Sequence, residues 1–265
     1  MRFTKMPSET ELRESLDQVA ALALEFGGLL MECGATARRV EEIAIQVAIG
    51  LGAELVDLRV GYASISITVA RNSDALSRMR GVGALGANQD LHHSLLAAVA
   101  RIQGAGLGVA EVRAELDHIL HNSSRHPDWL VATAVGIACA AFGRLMGVDW
   151  TGVGPIFVAA TLSQVVRRQF ALHRVNVFIA TLVVSFLGAT LCGLGARLLG
   201  SQQVVPSMIA TVLLLVPGIP SFNAQFDILE GRPTLGSARA VWVAVTLIYM
   251  TLGVWLAQGI LGAGR

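Results

Sequence analysis

The stretch LLLVPGIPSFNAQFDILEGR, residues 213–232, decides how this chain is read. It begins as a membrane helix does, with Leu213, Leu214, Leu215 and Val216. Pro217, Gly218 and Pro220 then interrupt it, and Asn223, Gln225 and Asp227 follow. Proline lacks a backbone N–H and strains the turn before it, and glycine adopts dihedrals that other residues avoid. The break therefore frees carbonyls near 213–216 and exposes N–H groups around 221–223. At membrane depth such groups must lie in protein or beside water. Broken helices present their half-helix ends to a solute or ion in this way. A short helix starting near Ser221 would aim its positive end at the break, which suits an anion. Asn223 and Asp227, four apart, share one face of that helix. Asn223 can donate and accept hydrogen bonds, and Asp227 can carry a proton where burial disfavours its charge. The simpler alternative places Asp227 at the cytoplasmic interface, paired with Arg232 or Arg239. Pro217, Gly218, Pro220, Asn223 and Asp227 are thus the candidate substrate or ion pathway, with Gln164, Asn176 and Gln225 as secondary candidates.

Outward from this stretch, the chain of 265 residues is 54% hydrophobic and only 15% charged. A soluble protein carries about a quarter charged residues. The charges are also segregated: residues 1–127 hold 15 of the 19 acids and 12 of the 20 bases, and residues 128–265 hold the rest. This predicts a soluble domain over 1–127 and a membrane domain over 128–265. The N-terminus has no apolar run of the kind a signal peptide needs, so the first domain is expected in the cytoplasm. Cys33, Cys139 and Cys192 are far apart and no CxxC occurs, which argues against a disulfide framework or a zinc site. A net charge of +1 gives no reason to expect nucleic acid.

Five apolar segments follow Pro127, over residues 129–147, 151–169, 174–199, 204–225 and 237–261. Each is near the roughly 20 residues that cross a bilayer. The connections bearing Arg167, Arg168 and Arg174, and Arg232 and Arg239, are richer in arginine than those bearing Arg144 and Arg197 or the tail with Arg265. The bias predicts a cytoplasmic N-terminus and a C-terminus on the opposite side. Ala132, Gly136 and Ala140, and likewise Gly253 and Ala257, fall four apart and permit close helix approach, within the chain or at a subunit interface.

The first domain reads as a small α+β unit. Ser8 and Glu11 form a capping box before a helix with Leu12, Leu16, Val19, Ala23, Phe26 and Leu30 on one face, ended by Gly34. Val40, Ile43, Val47 and Leu51 mark a second helix, closed by Gly52. The period then changes to two in ELVDLRV (54–60) and ASISITV (63–69), predicting strands with one buried face. A turn at residues 71–74 leads toward a third strand near 75–81, and helices are expected over 88–103 and 108–121. Gly81, Gly83 and Gly86 spell GxGxxG, but LSRMR is a poor buried strand before it and a flexible loop is the expectation. His118 and His121 could face one way on a helix, yet a solvated helix end explains them as well. There is no GxSxG elbow and no HExxH, so an enzyme reading has no positive support and no cofactor is implied.

Three blocks resemble the threonine/serine exporter family, and in it the larger subunit of a split bacterial form whose known type is a succinate exporter. They are GGLLMECGATARRVEEIAIQVAIGLG (27–52), PDWLVATAVGIACAAFGRLMGVDWTG (127–152) and VPGIPSFNAQFDILEGRPTLGSAR (216–239). Pro217, Gly218, Pro220, Asn223, Asp227, Gly231 and Arg239 occupy the positions of the family's pattern in the third block. The resemblance implies a cytoplasmic N-terminal domain and five membrane helices, with a separate small membrane subunit of about five helices supplying the other half. It implies export of a small carboxylate-bearing metabolite, threonine or serine or a succinate-type dicarboxylate, across a bacterial inner membrane, with the proton gradient as energy source. The rival expectations are a membrane-anchored enzyme and an anchored binding or scaffold module, each with its function in residues 1–127.

Overall fold

The computed structural model describes residues 9–71, 74–83, 86, 88–122 and 126–263. Ser8 of the expected capping box, Asn72 and Ser73 of the expected turn, Ala84 and Leu85 of the glycine loop, and Arg265 lie outside the described residues. The chain divides into two compact units, residues 1–124 with 219–240, and residues 125–218 with 241–265. The assignment of 219–240 to the first unit is something the composition did not announce.

In the first unit, α1 (Glu9–Glu32) and α2 (Ala37–Gly50) precede the strands β1 (Leu55–Val60), β2 (Ser64–Arg71) and β3 (Asp74–Gly81). They form an antiparallel meander in the order β1-β2-β3, with Leu58 opposite Ile67 and Val69 opposite Leu76. The period of two is realised in β2, where Ile65, Ile67 and Val69 are buried. Helices α3 (Gln89–Ala105) and α4 (Val109–Asn122) follow. The amphipathic reading of α1 understates it, because Ala20, Leu22, Leu24 and Met31 are buried as well. The helix packs against α2, β2, β3, α3 and α4 and so has several core faces. A single hydrophobic stripe is the signature of a helix with one covered face, and α1 has more than one. At Gly34 the chain turns with φ +90°, a left-handed conformation that favours glycine.

The glycine-rich segment after β3 is tied to the end of α1: Gly83 N–H donates to Glu32 Oε1 at 2.8 Å and Gly86 N–H to the Glu32 carbonyl at 2.7 Å. It follows an antiparallel strand, so it lacks the parallel strand that a dinucleotide fingerprint requires. In α4 the His121 ring bonds the Asp117 carbonyl and His118 bonds Asn122, both within the helix.

The second unit contains α5 (Asp128–Leu145), α6 (Trp150–Leu172), α7 (Val177–Leu198) and α8 (Val204–Thr211), the last continued by a 3-10 turn, Val212–Leu215. Helix α9 (Gly218–Leu229) belongs to the first unit, and α10 (Pro233–Leu261) has its first turns in the first unit and the remainder in the second. Among the described residues, α5, α7 and α10 are long and apolar enough to cross a membrane, and a fourth span arises if the bent pair of α8 with its 3-10 turn and α9 is counted as one. Helix α6 is long enough, but Gln164, Arg167, Arg168 and Gln169 dilute its apolar character. The small residues serve packing within the chain. A Cβ on Gly136 would meet the Phe157 carbonyl of α6 at 2.9 Å, and one on Gly253 would meet the Leu182 carbonyl of α7 at 2.7 Å. Such contact carries helix association where lipid and side chains are equally apolar.

Asp149 caps α6 by accepting from Gly152 N–H at 3.0 Å, and also accepts from the Ser201 hydroxyl at 2.6 Å and Gln202 N–H at 2.8 Å. The Ser201 hydroxyl is the main reason that its carboxyl sits below the usual aspartate value of 3.8, with Gln202, Thr151 and Gly152 adding to it against the cost of desolvation. A lowered folded-state value means a contribution fully present above pH 3.8 and lost as pH falls through the lowered value. Asp149→Asn is therefore expected to remove this part of the acid sensitivity. Thermal midpoints of wild type and variant should differ near neutral pH and converge on acidification; a constant gap would contradict the assignment.

Candidate functional site

The break predicted around Pro217 falls between the 3-10 turn and α9. Val216 is extended, with φ −63° and ψ 121°, and its N–H returns to the Leu213 carbonyl at 3.1 Å. That extended geometry is what a residue before proline prefers. Gly218 N–H reaches the Val216 carbonyl at 2.9 Å. Pro220 stands in the first turn of α9, where a missing N–H costs little. The new helix thus starts at Gly218 rather than near Ser221. One freed carbonyl, that of Leu214, accepts from Arg167 Nη1 at 2.9 Å.

Asn223 and Asp227 share one face of α9, as their spacing predicts, and both are buried. That face meets the turn between α1 and α2. The Asn223 amide donates to the Gly34 carbonyl at 2.9 Å, and Asp227 Oδ1 accepts from Ala37 N–H at 3.3 Å. Ala37 opens α2, whose N-cap Thr36 accepts from Arg39 N–H. Asp227 thus supplies a second acceptor at a helix N-terminus, where a negative charge is favoured. Its other oxygen accepts from Arg239 Nη1 of α10, and that pair is buried at 0% and 2% exposure, so water does not screen it. Arg239 Nε has no hydrogen-bond partner among the described residues. The pairing with Arg239 is one of the two partners weighed from sequence; the use of Asp227 as a cap on α2 is not visible in the sequence.

Local sequence explains how α9 is aimed. Gly231, with φ +79°, ends the helix while Arg232 N–H bonds the Asp227 carbonyl at 2.8 Å, the closure typical of a helix C-terminus. Pro233 then starts α10. Arg232 pairs with Glu41, and Arg38 lies 3.7 Å from Glu230 and 2.8 Å from Glu42. These residues line a cleft of about 510 Å³ with Ile45 and Leu229. The Arg38 hydrogen bond holds Glu42 below the usual carboxylate range. Each arginine there faces a glutamate, so the cleft offers no uncommitted cation.

The secondary candidates are scattered. Gln225 is exposed on α9. Asn176 caps α7 by accepting from Phe178 N–H at 2.9 Å. Gln164 is partly buried on α6, and its Oε1 has no partner among the described residues. Pro217 is buried, whereas Gly218 is exposed at the break.

A family model described as a putative threonine/serine exporter matches residues 21–261. Two curated relatives are named probable succinate transporter subunit YjjP. The one from Klebsiella aerogenes is 27% identical over 92% of this chain and 94% of its own. The one from Escherichia coli is 28% identical over 92% and 95%. An uncharacterized protein of Haemophilus influenzae is 21% identical over 80% of this chain and 82% of its own. No solved structure matches the chain.

Proposed function

The chain belongs to the threonine/serine exporter family, a transport family rather than an enzyme family, and on that premise we propose that it is one subunit of a secondary exporter of small carboxylate-bearing metabolites. The observation that carries this reading is a family match spanning residues 21–261, both the first unit and the helices after it. The substrates are threonine or serine, or a dicarboxylate of the succinate type. The word "subunit" in the names of two relatives supports a second component, which we take to be a small membrane protein of about five helices. Five spans are proposed here, α6 completing the set through helix contacts with α5, α7 and α8 instead of through its own apolarity. The N-terminus lies in the cytoplasm, the membrane is the bacterial inner membrane, and the proton gradient drives export. Pro217, Gly218 and Pro220 form the break beside the pathway, while Asn223 and Asp227 hold α9 on the α1–α2 turn.

The test is efflux of labelled threonine, serine and succinate from preloaded cells lacking this protein. The chain is restored alone, then with the candidate small subunit. Efflux of one solute that needs both chains and stops when the proton gradient is collapsed is the expected result. No faster efflux of any solute, with both chains in the membrane, would refute the reading.

A further inference from the structure

The break in the helix has a polar counterpart on α6. Arg167 follows Gln164 by three residues and Ser163 by four, so it is a helical neighbour of each, while Ser163 and Gln164 are adjacent and point about 100° apart. Ser163 is 3% exposed, yet its hydroxyl has no hydrogen-bond partner among the described residues. A buried unpaired polar atom is costly, and a solute that supplies the missing bond removes the cost. The hydroxyl sits where α6, α7 and α8 converge: a Cβ on Gly188 would lie 2.5 Å from it and 3.5 Å from Thr211 Cγ2. Gln164 adds a second unpaired atom, the amide oxygen. Arg167, one turn on from both, reaches the broken helix, where it donates to the Leu214 carbonyl. Its neighbour Arg168 pairs with Asp128 at 3.2 Å, whereas Arg167 has no carboxylate partner among the described residues. One nitrogen of a five-donor fork is committed and its charge is not neutralised. A guanidinium in that condition suits a carboxylate, which it binds in a forked geometry.

We propose that Ser163, Gln164 and Arg167, beside the Leu214 carbonyl of the broken helix, form the subsite by which this chain binds one carboxylate of the transported solute. Arg167 takes the carboxylate oxygens and Ser163 donates to one of them. Gln164 accepts from an amino or hydroxyl group on the same molecule. The subsite supplies one cation, so a dicarboxylate draws its second counter-charge from elsewhere in the assembled transporter. The inference rests on the exporter reading and names where its solute binds.

The experiment measures efflux by the full chain with its small subunit in preloaded cells, as a function of internal threonine and succinate, for Arg167→Gln, Arg167→Lys and Ser163→Ala. Glutamine keeps an amide donor but carries no charge and is shorter, so the split between KM and maximal rate is what separates solute binding from a purely structural Arg167. The expected result is an apparent KM raised at least about tenfold in R167Q, partly recovered in R167K, with a smaller rise in S163A. A KM within about threefold of wild type in R167Q, or a lower maximal rate at unchanged KM, overturns the subsite. If R167Q does not accumulate in the membrane, the S163A value decides: a KM equal to wild type rejects the proposal. Wild-type cells that export none of the solutes refute the exporter reading itself, and the subsite with it; wild-type export with indifferent variants refutes the subsite alone.

Discussion

Asp227→Asn and Arg239→Met, each made alone, are expected to destabilise the chain by about 3–5 kcal/mol, the usual effect of removing one member of a buried ion pair. Neither side chain is reached by water, so the survivor is left as an uncompensated charge or an unmet donor. Asp227→Asn also weakens the acceptor that serves Ala37 at the start of α2. The double variant Asp227→Leu with Arg239→Met is expected to recover most of the loss, because two apolar side chains replace the pair without a stranded charge. Recovery should stop short by about 1 kcal/mol, since Ala37 N–H still loses its partner. Thermal unfolding of the purified full chain, with the amount of protein in the membrane as a control, measures all three. A double variant no more stable than the less stable single variant would show that the two residues do not act as a pair. The same variant also addresses function. If it is stable and still exports under a proton gradient, Asp227 does not carry the coupling proton; if it is stable and inert, the pair serves transport directly.

Gly253→Ala is expected to separate α10 from α7. The added methyl would fall 1.9 Å from Ser185 Oγ, 2.7 Å from the Leu182 carbonyl oxygen and 2.9 Å from Phe186 N. The serine can rotate away, but the two backbone atoms cannot, so relief requires one helix to move. Overpacking of this kind costs about 1–3 kcal/mol. Between membrane helices it also removes close packing, which is the main attraction available there. Gly259→Ala on the same helix is the control, because a Cβ there meets nothing within 4 Å. Alanine is the better helix former by about 1 kcal/mol. The thermal midpoint should therefore fall in Gly253→Ala and stay or rise in Gly259→Ala. Equal midpoints would mean that α7 and α10 do not depend on the glycine contact.

Much of the architecture was legible because it is local. A period of two marked β2, with Ile65, Ile67 and Val69 inside. Positive-φ glycines closed helices where the pattern of side chains ended, at Gly34 and Gly52. The family resemblance drawn from three blocks agrees with a family match over residues 21–261. The span count was less legible. Helix α6 has the length, but its polar residues keep it below the apolarity of α5, α7 and α10. Such residues read as dilution in a hydropathy profile, although Arg167 is a helical neighbour of both Ser163 and Gln164.

The sequence by itself determined where the chain changes character: the fall in charge after residue 127 and the break at Val216–Gly218. Both are properties of neighbours along the chain, since proline geometry and local polarity act within a turn or two. Only the tertiary structure decided what the break's residues face. The bonds from α9 to the α1–α2 turn join positions 190 and 189 residues apart, and Arg167 reaches Leu214 across 47. Spacing of three or four tells which side chains share a face, but the partner of that face is set by which helices pack together. Burial then gives the face its energetics, since a carboxylate that would be solvated on a free helix becomes, between Ala37 and Arg239, half of a dry ion pair.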